Sequence, residues 1–277
     1  MSDPRSNTLI SVSELAAALD TGGKIVLLDV SADLKATPLD REVIPGAIAV
    51  GLAGDIAGPS SKDGGNRPLP DIATLQDNAR SWGIDNDTLV VVYDASTGSQ
   101  ASRAWWTFRW AGHDNIRLLD GGFKAWQAAG KATAASPSKG PGGGTITLNA
   151  GNMAVIGPDE AAELGKSGVL IDSRGKANFI GEADKPNTGH IPGAISAPSA
   201  MHIGADGLFK SSEELKADFT GLGVDGSKAV GVYCGSGVAA AHTIVAMHAA
   251  GLDAPLYVGS WSHWSADPSR PVAQGEE

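Results

Sequence analysis

Ala229-Val230-Gly231-Val232-Tyr233-Cys234-Gly235-Ser236-Gly237-Val238-Ala239-Ala240 is the stretch on which the fold turns. Its first five residues form an apolar run without polar alternation, as in a parallel strand covered on both faces. Two glycines around Ser236 suit a tight loop. The Ala-rich segment Val238–Ala250, stopped by Gly251, suits a helix. Strand, glycine loop and helix in that order build an open α/β sheet, which binds ligands at the carboxyl ends of its strands. Cys234 falls at such an end.

Working outward, the chain matches itself. Leu89-Val90-Val91-Val92-Tyr93-Asp94 resembles Ala229–Cys234, and Ile25–Val30 resembles Gly168–Ser173. Val43-Ile44-Pro45-Gly46-Ala47-Ile48 resembles His190-Ile191-Pro192-Gly193-Ala194-Ile195. Gly121-Gly122-Phe123-Lys124-Ala125-Trp126 resembles Gly259-Ser260-Trp261-Ser262-His263-Trp264. The matches keep one order and nearly constant spacing, which predicts two copies of one α/β domain. Ser136-Pro137-Ser138-Lys139-Gly140-Pro141-Gly142-Gly143-Gly144 reads as a linker between them. The expected boundaries are residues 1–135, a linker at 136–151, and residues 152–277.

Composition narrows the classes. With 42% hydrophobic and 19% charged residues, the 277-residue chain can bury two ordinary cores. Its net charge is −10, and no Lys/Arg cluster could neutralise a run of phosphates, so nucleic acid is not an expected partner. The polar start Met1–Asn7 has no signal-peptide core, and no apolar run reaches membrane-span length. One Cys excludes an intramolecular disulfide and a multi-Cys metal site. The expectation is a cytoplasmic protein without membrane partner, metal or cofactor.

A loop with two glycines lets successive N–H groups converge as an anion-binding nest, and the following helix adds its positive end. Both favour a thiolate at Cys234, and afterwards a persulfide anion. A lone Cys behind a buried strand is also often an inert small hydrophobe. The local pattern leaves both readings open. The first copy tilts the balance, because it carries Asp94 at the matching place, followed by Ala95-Ser96-Thr97-Gly98.

Cys-Gly-Ser-Gly-Val at 234–238, the paired Ile-Pro-Gly-Ala segments, the Gly-Ser-Trp-Ser-His-Trp run and the pair Trp105-Trp106 together resemble the two-domain rhodanese family over nearly the whole chain. The resemblance implies two tandem rhodanese-like domains, each a mostly parallel sheet flanked by helices. It implies an inactive first domain with Asp94 at the Cys position, and a catalytic second domain. It implies sulfur transfer from a small donor, thiosulfate or 3-mercaptopyruvate, through a Cys234 persulfide. The acceptor would be a thiol, a thioredoxin-like protein or cyanide. The loop Gly235, Ser236, Gly237, Val238 and Ala239 would bind the persulfide, in a form closer to the mercaptopyruvate enzymes. Those enzymes hold substrate with two arginines, whose places fall here on Asn178 and Asn187. Arg174, His190 and Trp261 are further candidates for substrate contact or loop support, Arg174 and His190 favouring support.

Two other readings compete. A phosphatase or arsenate reductase needs a longer Cys loop ending in Arg, and no Arg follows Cys234 before Arg270. A persulfide carrier with little free turnover is the alternative that the two Asn residues favour. His242 and His248 on the helix after the loop are expected in packing, as are Trp105, Trp106, Trp126 and Trp264. Arg103 is a further candidate for charge near the site.

Overall fold

The predicted apolar runs become central strands because helices cover both faces of the sheets they join. A computed structural model describes residues 3–36, 40–96, 98–185 and 187–276. Met1, Ser2 and Glu277 at the ends of the expected domains, and Thr97 of the first loop, lie outside the described residues. The chain forms two units. One comprises the chain up to Gly58, Pro70–Met153 and Ala205–Phe209; the other comprises Pro59–Leu69, Ala154–Gly204 and residues from Lys210 onward.

In the first unit the strands are β1 (Leu9–Ile10), β2 (Ile25–Ser31), β3 (Ile48–Gly51), β4 (Leu89–Tyr93) and β5 (Ile116–Leu119). Its helices are α1 (Val12–Asp20), α2 (Ile72–Ser81), α3 (Ser99–Trp110) and α4 (Gly122–Ala128). The second unit has β6 (Val155–Ile156), β7 (Val169–Asp172), β8 (Ile195–Ser196), β9 (Val230–Tyr233) and β10 (Leu256–Tyr257). Its helices are α5 (Pro158–Ser167), α6 (Lys176–Ile180), α7 (Ser212–Gly221), α8 (Val238–Ala249) and α9 (Ser260–Trp264).

Among the described residues each unit carries one five-stranded parallel sheet. The orders are β1-β5-β4-β2-β3 and β6-β10-β9-β7-β8, the same topology twice. The α/β reading holds, and so does the repeat. β4 and β9 are central in both, and the residues on either side of each sheet are buried apolar.

The repeated motifs do the same work in both units. Buried Tyr93 accepts the Ile44 N–H on its hydroxyl at 3.1 Å, and buried Tyr233 accepts that of Ile191 at 3.1 Å. Each Ile-Pro-Gly-Ala turn is thereby tied to the strand that precedes the loop of interest. Burial, with Asp172 beside it, pushes the Tyr233 hydroxyl well above its usual range, so it stays neutral. Trp126 Nε1 donates to Ala132 O at 2.8 Å, and Trp264 Nε1 donates to Pro271 O at 3.0 Å. Trp105 and Trp106 are fully buried on α3.

The Gly/Pro/Ser stretch is laid along the first unit by backbone hydrogen bonds. Ser138 donates to Ala47 O, Gly142 to Ser81 O, Gly144 to Arg80 O and Ile146 to Ile84 O. Ile146 and Leu148 are buried there. No helix of the described residues is long and apolar enough to cross a membrane.

Candidate functional site

β9 delivers Cys234 to the carboxyl edge of the second sheet, where the chain turns through Gly235 and Ser236 to Gly237. Gly237 takes φ of +74°, a left-handed conformation that glycine adopts without side-chain strain, and caps α8. α8 is twelve residues long, so its positive end lies at the loop. Cys234 is 2% exposed, whereas Gly235, Ser236, Val238 and Ala239 are half-buried. The thiol is thus shielded while the loop around it is partly open.

α9 sets the orientation of this loop. The Trp261 N–H donates to Cys234 O at 2.9 Å, and the Ser262 N–H donates to Gly235 O at 2.9 Å. In a planar trans peptide the carbonyl and the next N–H point in opposite directions. Holding those two carbonyls against α9 therefore turns the Gly235 and Ser236 N–H groups away from it. Ser260 adds a third tie: its hydroxyl accepts the Cys234 N–H at 3.2 Å and donates to Tyr257 O at 2.8 Å.

Ser260 is fully buried and, among the described residues, is the one non-glycine with positive φ, at +53°. The matching residue of the first unit is Gly122, at φ of +58°. A left-handed side chain costs about 1–2 kcal/mol. The second unit bears that cost at the residue that bonds the Cys234 backbone.

The first unit supplies a direct comparison. There Asp94 is 2% exposed, and its carboxylate accepts N–H groups from Ser96 (2.8 Å), Gly98 (2.9 Å), Gln100 (2.9 Å) and Ala101 (3.2 Å). The Phe123 N–H donates to Asp94 O at 3.1 Å, as Trp261 does to Cys234 O. Loop and helix N-terminus in this repeat do form an anion-binding nest, and Asp94 occupies it from within.

The other expected site residues divide. Arg174 Nε and Nη2 bond the buried Asp172 carboxylate, at 2.6 Å for Nη2, and Nη2 also donates to Gly189 O at 2.6 Å. Its guanidinium lies 4.6 Å from the Trp261 ring centre. Burial opposes its charge, but the Asp172 carboxylate outweighs that and holds the group above its ordinary range. The Nε–Nη2 edge of Arg174 is therefore occupied in bracing Asp172 and the Gly189–Ile191 turn, beside Trp261. His190 is buried, stacks on Phe179 at 3.7 Å and engages Phe179 O through Nδ1 at 2.8 Å. Trp261 is half-buried. Asn178 on α6 and Asn187 in the following turn are exposed. Arg103 and His242 are buried in α3 and α8. Reading the sequence did not single out Ser260 or Ser262. The signal was the pairing of Ser260 with Gly122, where one copy needs no side chain and the other keeps one.

Comparison with known proteins matches both repeats and the fold. The model of the rhodanese-like domain matches residues 11–129 and again 157–267. A Mycobacterium tuberculosis protein, SseB, provisionally named thiosulfate sulfurtransferase, is 38% identical over 288 residues, covering 98% of both chains. A Pseudomonas aeruginosa protein provisionally named 3-mercaptopyruvate sulfurtransferase is 39% identical over 285 residues, covering 98% of this chain and 99% of that one. The 3-mercaptopyruvate sulfurtransferase structure from Leishmania major aligns with a TM-score of 0.78 at 27% identity, over 94% of this chain and 74% of that one.

Proposed function

The chain belongs to the rhodanese family, and from that premise we propose that it is a sulfurtransferase in which Cys234 carries the sulfur. The observation that carries this reading is the pair of matching loops after β4 and β9. The first is filled by a carboxylate, which cannot accept sulfur; the second holds a thiol where that carboxylate would be.

Sulfur moves from donor to acceptor by two nucleophilic displacements. The Cys234 thiolate attacks the outer sulfur of thiosulfate, the S–S bond of the donor breaks, and sulfite leaves with the electron pair. With 3-mercaptopyruvate the C–S bond breaks instead, and the thiol proton ends on carbon to give pyruvate. Either path leaves a Cys234 persulfide anion, the charge that loop amides and the α8 terminus would stabilise. Cyanide then attacks the outer sulfur, giving thiocyanate and regenerating the thiolate; a thiol acceptor gives its own persulfide. Gly235, Ser236, Gly237, Val238 and Ala239 form the persulfide loop in this reading. Arg174, Trp261 and His190 support it rather than grip the donor.

The donor is the finer part of the proposal. The two long relatives carry different donor names at nearly equal identity. Exposed, uncharged Asn178 and Asn187 stand where the resemblance expects arginines, so a carboxylate donor would lose two charged forks. Those two residues also favour a second reading, a persulfide carrier charged by a partner. Loading the purified protein with thiosulfate and with 3-mercaptopyruvate, then weighing it, tests both readings. One added sulfur on the wild type and none on Cys234→Ser is the expected result. Loading without cyanide-dependent turnover would favour the carrier.

A further inference from the structure

The second unit includes Pro59–Leu69, an arm contributed by the first repeat of the sequence. Ser61 and Gly65 close it with two backbone hydrogen bonds, at 3.0 and 2.9 Å, and the Ser61 hydroxyl accepts the Gly64 N–H at 3.0 Å. The arm therefore has a built-in shape. It touches α9 at Gly65 and Asn66. The Asn66 N–H donates to the Ser262 hydroxyl at 3.0 Å, and that hydroxyl donates to Gly259 O at 2.9 Å. Gly65, buried and at φ of +78°, lies so close that a β-carbon there would sit 2.6 Å from Gly259 O and 2.7 Å from Ser262 Oγ.

Beside this contact the surfaces separate. Asp63, Gly64 and Pro68 of the arm face Tyr257, Gly259 and His263 across a cavity of about 320 Å³. The arm thus bears on α9 at Gly65 and Asn66. Ser262 is also the residue whose N–H holds Gly235 O and so turns the Ser236 N–H away from α9. One residue is shared: its hydroxyl meets the arm and its backbone N–H meets the loop that follows Cys234.

Resting on the sulfurtransferase reading, we propose that the arm is a positioning element for the sulfur-binding nest, acting through Ser262. The arm fixes the Ser262 hydroxyl, the Ser262 amide fixes the Gly235 carbonyl, and that peptide aims the Ser236 N–H at the bound sulfur. The sulfur site of the second repeat is then completed by a piece of the repeat that carries none. Ser262 and Gly65 touch no substrate in this account.

The test uses the full chain with thiosulfate as the loading reagent and mass spectrometry to follow the Cys234 persulfide. Ser262→Ala removes the hydroxyl that meets the arm and leaves the amide that meets Gly235 O. Losing one hydrogen bond's worth of support shortens the persulfide lifetime and lowers kcat by roughly three- to tenfold. KM for cyanide and the melting temperature stay close to those of the wild type, and Ser262→Thr, which keeps a hydroxyl, recovers the lifetime. Gly65→Ala drives a β-carbon into Gly259 O and shortens the lifetime as well. Should Gly65→Ala fail to fold, Ser262→Ala decides alone. A merely structural contact would lower the melting temperature and leave the persulfide lifetime at low temperature unchanged. An unchanged lifetime in folded Ser262→Ala overturns the proposal, as does failure of Ser262→Thr to recover a shortened one. A wild type that takes up no sulfur from any donor overturns the sulfurtransferase reading itself, a distinct outcome.

Discussion

Between Asp94 and α3, a carboxylate gathers four backbone N–H groups; between Tyr233 and α8, the corresponding residue is a thiol. The strands before the two loops, the tyrosines that pin them and the backbone bonds from α4 and α9 agree. The second loop is one residue shorter between that residue and its left-handed glycine, Gly98 or Gly237. The difference teaches that the loop frame belongs to the repeat and, in the sulfurtransferase reading, the chemistry to its occupant. A carboxylate satisfies the amides permanently and so serves the fold. In the proposed reaction a thiol leaves the anion's place to be filled by the persulfide.

The largest effect expected is at the occupant. Cys234→Ser abolishes thiocyanate formation and leaves the circular dichroism spectrum unchanged; residual cyanide-dependent activity would break the comparison at its centre. Cys234→Asp is equally inactive but makes the second loop resemble the first. Each charged hydrogen bond contributes about 1.5–3 kcal/mol, so this variant should resist urea better than Cys234→Ser. A less stable Cys234→Asp would mean that the shorter loop is not an equivalent anion site.

Next comes the first nest. Asp94→Ala strips an acceptor from four N–H groups, two of them in buried bonds. The expected cost is about 3 kcal/mol or more, read by urea denaturation. A loss under about 1 kcal/mol would show that the carboxylate does not hold the loop.

The Gly122 and Ser260 pair gives a smaller, two-way test. Gly122→Ser puts a β-carbon 2.8 Å from Asp94 O and should cost about 1–3 kcal/mol in stability. Ser260→Gly relieves the left-handed strain while releasing the Cys234 N–H, so stability changes by about 1 kcal/mol or less. Its kcat should nevertheless fall several-fold. Unchanged kcat would reduce Ser260 to packing.

Smaller still is the donor effect. Asn178→Arg should lower KM for 3-mercaptopyruvate a few-fold more than KM for thiosulfate, because only the former has a carboxylate. Steady-state kinetics with both donors decides, and equal shifts would show that position 178 does not face the donor.

A further comparison reads stability against pH. His202, fully buried against Phe219, is pushed down from 6.5 to about 3 by burial, then by His242 and Lys210. Its folded value lies below the unfolded one, so the unfolded chain takes up the proton first. The stability it contributes is complete above pH 6.5 and drains as pH falls toward 3. His202→Phe should flatten the fall of the urea midpoint over that window; an unaltered slope would assign the acid sensitivity elsewhere.

Much of this is legible in the sequence alone. Apolar runs with no alternation can be accommodated only inside a sheet covered on both faces, so Leu89–Tyr93 and Ala229–Tyr233 announced central parallel strands. Repetition at constant spacing announced two units, and the glycines after Cys234 announced the turn into α8. These are local properties, set by periodicity and backbone freedom, and they survive in the one-dimensional string. The exchanged arm, the occupied Nε–Nη2 edge of Arg174, the strained Ser260 and the Ser262 contact are decided by tertiary structure. Each depends on a partner far along the chain: Arg174 on Gly189, Cys234 on Ser260, Asn66 on Ser262. A hydrogen bond of about 3 Å is a statement about distance in space, and no local pattern of residue types encodes which distant carbonyl or hydroxyl will arrive.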